Sequence, residues 1–279
     1  MAIDYEVEYN NRARVPEHPD IFARWAREAA AYRDETTKEG RAEIGLKYGP
    51  SPRQTIDLFK PKGGGNGPLA LFIHGGYWRS LEPAMFSQTA RGMNAHGITV
   101  AVSGYDLAPQ VSIGQIIEQT QAACLYLWKK LGQHIMVSGH SAGGHLAACM
   151  IATDWKNLDA NAPADLTPAG YAISGLYDLE PLLHLSGNAE FKLDAAEARR
   201  ISPLYWNVER GRVLDAVVGG AESSEFLRQS KLVADAWRGK GVETRYEAVP
   251  GMNHFTICDP LADPDSAMTK RLVELAKRR

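Results

Sequence analysis

Residues 135–148 read I-M-V-S-G-H-S-A-G-G-H-L-A-A, and the fold is decided there. The stretch starts as an apolar strand, turns at Gly139-His140-Ser141-Ala142-Gly143 and leaves as an alanine-rich helix with small faces. A serine at the apex of a strand, turn and helix sits on a strained backbone, so its neighbours must be tiny. Gly139 and Gly143 supply this, and Ala142 adds little bulk. The hydroxyl then projects above the sheet edge at the amino end of the helix. Free amides there favour the negative charge that develops when an oxygen attacks a carbonyl. The competing reading is a tight glycine turn with an idle serine; the strand-to-helix setting weighs against it.

Outward from this turn, strand and helix alternate, which predicts a mostly parallel central sheet with helices on both faces. Upstream, residues 69–73 form a continuous apolar run that ends in His74-Gly75-Gly76-Tyr77-Trp78. A helix over 83–96, a strand over 98–102 and a long helix over 112–131 stopped by Gly132 follow. Downstream, strands are predicted over 169–174, 213–218 and 243–249, with helices over 224–238 and 266–277. Residues 179–210 break the alternation with scattered Leu, His, Phe and Trp, and read as a small cap insertion over the serine. At the other end, residues 19–36 form a helix with Asp20 as N-cap, in an N-terminal helical extension of about 40 residues. Residues 43–48 and 54–59 suggest an antiparallel pair. The K-G-G-G-N-G run at 62–67 precedes a strand and joins none to a helix, so it reads as a flexible turn and not as a phosphate loop. The expectation is a single domain over 1–279.

Composition narrows the function. A net charge of −2 leaves no basic field for nucleic acid, and the 44% apolar and 23% charged fractions are those of an ordinary globular protein. The three cysteines, Cys124, Cys149 and Cys258, form no C-x-x-C pair and read as reduced thiols. The acidic start M-A-I-D-Y-E lacks a signal peptide's basic, apolar pattern, and no apolar run approaches the roughly 18 residues that span a bilayer. Cytoplasmic residence, no membrane partner and a small-molecule substrate are expected; a homodimer is allowed. No H-E-x-x-H occurs, and no cofactor or metal is required.

A serine hydroxyl does not ionise at neutral pH, so it needs a histidine base and a carboxylate to orient that base. In hydrolases with a strand-turn-helix serine these follow in the order Ser, acid, His. His254, in P-G-M-N-H-F after the last strand, has the expected place; His140 and His145 flank the serine too closely. For the acid, the loop V-V-G-G-A-E-S-S-E-F offers Glu222, nearer the strand end, and Glu225, in the first helical turn. Glu222 is preferred, and Asp178, one strand earlier, is the main rival. The backbone amide of Ala142, with Gly75 and Gly76, would hold the oxyanion. Tyr77, Trp78, Trp206 and Phe255 could line a pocket for a flat acyl substrate, or could fill core space instead.

The motifs H-G-G-Y-W at 74–78, Y-D-L-A-P at 105–109, G-H-S-A-G-G-H at 139–145, S-G-L-Y-D-L at 174–179 and N-H-F at 253–255 together resemble the kynurenine formamidases. These are serine-dependent arylformamidases of the α/β-hydrolase fold. The likeness runs from about Tyr48 onward and includes E-F-x-x-Q-S at 225–230. It implies an α/β-hydrolase fold, Ser141 as nucleophile, His254 as base, oxyanion donors at Gly75, Gly76 and Ala142, and cleavage of an aryl formamide such as N-formylkynurenine. The family usually has Asp where this chain has Glu222, one methylene longer. Two rival functions remain at this level: a carboxylesterase or amidase for another substrate, sharing every catalytic part, and a non-catalytic ligand receptor on the same fold.

Overall fold

A computed structural model describes residues 3–64 and 67–278; Gly65 and Asn66 of the glycine-rich turn lie outside the described residues, as do Met1, Ala2 and Arg279. Eight strands form one sheet: β1 (Ala42–Lys47), β2 (Thr55–Phe59), β3 (Leu69–Ile73), β4 (Thr99–Ser103), β5 (Ile135–His140), β6 (Ala169–Ile173), β7 (Val213–Gly219) and β8 (Glu243–Val249). Their spatial order is β1-β2-β4-β3-β5-β6-β7-β8. β2 runs antiparallel to β1 and β4, and every other pairing is parallel.

The helices are α1 (Tyr5–Tyr9), α2 (Asn11–Arg14), α3 (His18–Lys38), α4 (Ala90–Ala95), α5 (Ile113–Leu131), α6 (Ala142–Ile151), α7 (Trp155–Leu158), α8 (Asn188–Phe191), α9 (Ala195–Arg200), α10 (Ser224–Arg238) and α11 (Ala267–Lys277). Strand residues alternate between two buried clusters. Leu69, Leu71 and Ile73 of β3 pack toward α5, α6 and α10. Ala70 and Phe72 pack toward α3, α4 and α11. Coverage of both faces is why β3 reads as an unbroken apolar run. Helix α5 is delimited as its sequence predicts: Ser112 and Gln115 form a capping box, and Gly132 closes the helix at φ 69°.

Two local expectations need correction. The helix expected over 83–96 is a 3-10 stretch, Pro83–Thr89, followed by α4. The Thr89 hydroxyl bonds back to the carbonyl of Phe86 at 2.7 Å, a side-chain contact that favours the tighter turn. Helix α3 begins at His18 with Glu17 as N-cap, and Asp20 lies in its first turn. Pro19 accounts for this, because its fixed φ suits the first helical turn and its missing N–H costs nothing there.

The order of the strands locates the site. From β3 the chain moves to one side to make β4, then returns to the other side to make β5. Connections that diverge in this way leave a crevice at the carboxyl ends of β3 and β5, where His74–Gly76 and Ser141 emerge.

Candidate active site

Ser141 follows β5 directly, at φ 57° and ψ −119°, a conformation that a residue with a side chain holds only when its surroundings enforce it. They do. Its N–H donates to the carbonyl of Ile173 at 2.8 Å, and its carbonyl accepts from the amides of Gly144 and His145. The glycines are needed for space: a Cβ on Gly143 would lie 1.9 Å from the Ile73 carbonyl oxygen, and one on Gly139 would lie 2.2 Å from that of Gly143.

The Ser141 Oγ is 3.1 Å from His254 Nε2, and His254 Nδ1 is 2.6 Å from Glu222 Oε2. All three residues are buried. The other Glu222 oxygen accepts from the Ser174 hydroxyl at 2.5 Å and from the Gly219 amide at 2.7 Å. Both carboxylate oxygens are thus occupied by donors, which fixes the group in place. The turn after β7 absorbs the longer side chain: the Glu222 amide bonds back to the Gly219 carbonyl at 3.0 Å, and its carboxylate folds over the same strand end.

The rival acids stand elsewhere. Asp178 accepts from the Glu180 amide at 3.2 Å, and Gln229 Oε1 accepts from the amides of Tyr177 and Asp178, so this corner orders the start of the 179–210 segment. Glu225 accepts from the Tyr9 hydroxyl and pairs with Arg228 through both oxygens. Burial would raise the Glu225 carboxyl, but Arg228 and Tyr9 outweigh it and hold the group below its ordinary range.

The neighbouring histidines are neutral supports. His140 donates through Nε2 to the carbonyl of His254 at 2.7 Å. Burial, reinforced by the nearby His254, pushes His140 well below its ordinary pKa. His145 donates to the Ile201 carbonyl and His74 to that of Gly75, and burial lowers each to about 4.

In front of Ser141 lies a cavity of about 320 Å³. Of the residues proposed from sequence, Ser141, His254, Gly76, Tyr77 and Phe255 line it. Gly75 packs against the elbow, since a Cβ there would sit 3.0 Å from the Ser141 Cβ. The amides of Gly75, Gly76 and Ala142 donate to no main-chain carbonyl outside helices and strands among the described residues. Trp78 and Trp206 do not line the cavity. Gly76, Tyr77 and Trp78 all have positive φ. That twist leaves Tyr77 on the cavity and sends Trp78 into the core, edge-on to His145 at 5.1 Å. Trp206 is tied to the 179–210 segment through its indole N–H and the Arg200 carbonyl at 2.7 Å.

Sequence reasoning missed the N-terminal part of the lining: Tyr9, Asn10, Asn11 and Arg12, with Phe22 and Trp25 of α3, border the cavity, and Leu185, Ser186 and Phe191 of the 179–210 segment, read from sequence as a cap, border it too. The available signals were the caps: Asp4 and Asn10 each accept from an amide three residues on and start the short helices α1 and α2.

Comparison with known proteins agrees with this geometry. A family described as alpha/beta hydrolase fold matches residues 70–257. The chain is 28% identical to a kynurenine formamidase of Danio rerio over 82% of its own length and 80% of the relative's. It is 29% identical to that of Drosophila melanogaster, over 86% and 83% respectively. Among solved structures, a candidate thioesterase from Silicibacter sp. TM1040 superposes with a TM-score of 0.85 at 34% identity, covering 96% of this chain and 98% of the other. The chain is therefore a hydrolase of the α/β-hydrolase family, and its likeness to the kynurenine formamidase branch extends over more than 80% of its length.

Proposed function

We propose that the protein cleaves a small aryl amide, of the aryl formamide class that includes N-formylkynurenine, through an acyl-enzyme on Ser141. His254 Nε2 takes the hydroxyl proton as Oγ adds to the acyl carbon, and Glu222 holds the imidazole and balances its charge. Gly76 and Ala142 amides, with Gly75 beside them, receive the oxyanion; one such donor is worth about 3 kcal/mol in the transition state. The C–N bond then breaks and His254 gives its proton to the departing amine. Water, deprotonated by the same imidazole, attacks the acyl-enzyme and releases the acid, which for a formamide is formate.

The observation that carries this reading is the continuous bonded path from Glu222 through His254 to Ser141, opening into a cavity with aromatic walls. The kynurenine formamidase relatives support the formamide as substrate. The 34% identical candidate thioesterase supports a second reading, thioester or ester cleavage by the same residues. Steady-state kinetics on a panel of aryl formamides, aryl acetates and acyl thioesters separates the two. A kcat/KM for formamides exceeding that for esters and thioesters supports the proposal, and the reverse order contradicts it.

A further inference from the structure

Asn11 is only 4% exposed, and its side-chain Nδ2 has no hydrogen-bond partner. A buried donor in that state is costly and calls for an explanation, which a ligand oxygen would supply. The residue lines the cavity in front of Ser141 and also a second cleft bounded by Glu222, Asn253 and His254. Asn11 thus shares a cleft with Glu222 and with the imidazole that hands a proton to the departing atom, while the oxyanion donors belong to the turns after β3 and β5.

Arg12 also lines the cavity; its guanidinium carbon is 5.9 Å from the centre of the Phe22 ring, and it pairs with no carboxylate among the described residues. The other charged lining groups are engaged. Glu6 accepts from the Ser186 amide, and Arg79 pairs with Glu190 at 2.7 Å.

We propose that Asn11 determines specificity for the leaving group: its Nδ2 donates to an oxygen carried by the departing amine or alcohol, and Arg12 favours that oxygen as part of a carboxylate. The inference rests on the acyl-enzyme reading of Ser141, which is what gives the cavity a leaving-group side.

Two matched substrate pairs test it: 2-formamidobenzoate against formanilide, and 2-acetoxybenzoate against phenyl acetate. The wild type should favour the carboxylate member of each pair. Asn11→Ala should lower kcat/KM for the carboxylate members by about 10- to 100-fold and leave their partners within about 3-fold. Arg12→Gln, at an exposed position, should lower the same two substrates by about 3- to 10-fold at low ionic strength, with the loss fading in high salt. An equal fall on all four substrates, or none on the carboxylate members, overturns the proposal. Turnover of esters alone would count against the formamidase reading and leave the ester pair to decide the role of Asn11. Product binding needs no turnover: anthranilate should bind the wild type more tightly than aniline and lose that margin in Asn11→Ala, and an unchanged margin would contradict the assignment.

Discussion

At the scale of single residues, the Glu222 carboxylate does two things. One oxygen holds the His254 Nδ1, and the other is held by Ser174 and Gly219. Replacing the carboxylate by an amide of equal size keeps the packing but removes the charge and permits the wrong imidazole tautomer. Glu222→Gln should therefore lower kcat by about 10²- to 10⁴-fold, whereas Asp178→Asn should stay within about 3-fold, because Asp178 stands outside the bonded path from Glu222 through His254 to Ser141. Steady-state kinetics of the two variants check this, and a severe loss confined to Asp178→Asn would move the acid to that position. The order Ser141, Glu222, His254 was legible in the chain because each residue sits in a loop just after a recognisable strand. The orientation of Trp78 was not. Adjacent aromatics in H-G-G-Y-W look equivalent in sequence, and only the positive φ values at Gly76, Tyr77 and Trp78 turn one to the cavity and the other to the core.

At the scale of elements, the strands and long helices were readable because apolar periodicity and caps are written locally. The N-terminal part of the cavity lining was not. Helices α1 and α2 are five and four residues long, too short for a period to show. Their place is set by contacts far along the chain. Tyr9 donates to Glu225 at 2.8 Å and accepts from Gln229 at 3.0 Å, and its carbonyl receives the Tyr77 hydroxyl at 2.5 Å. Glu8 accepts from Ser224 and the Glu225 amide, adding an acidic partner to the start of α10. Tyr9→Phe should cost about 1–2 kcal/mol in denaturant unfolding and raise hydrogen exchange in residues 5–14. Unchanged stability and exchange would show that this anchor does not hold the segment.

At the scale of the whole molecule, the sheet buries histidines that must stay neutral. His74 and His145 each donate one ring N–H to a carbonyl, and the other ring nitrogen has no partner. Burial holds both at about 4, against 6.5 for the free group, and His140 shifts in the same direction. Between those values the unfolded chain binds protons that the folded chain refuses. The stability from these groups is present above pH 6.5 and is lost as the pH falls toward 4. Urea unfolding at pH 5 should give a stability roughly 3–4 kcal/mol below that at pH 7 from His74 and His145 together, with His140 adding to the loss. Carboxylates with lowered pKa, such as Glu225, weaken the fold only at lower pH, so a flat profile from pH 7 to 5 would contradict the neutral-histidine account.

Whether Ser141 is the nucleophile is decided by intact-protein mass spectrometry after treatment with a fluorophosphonate. One adduct is expected, located on the peptide bearing Ser141, with hydrolysis lost in step with labelling, and neither adduct nor turnover in a folded Ser141→Ala variant. Turnover that survives in Ser141→Ala, or inactivation with the adduct on another residue, would contradict it.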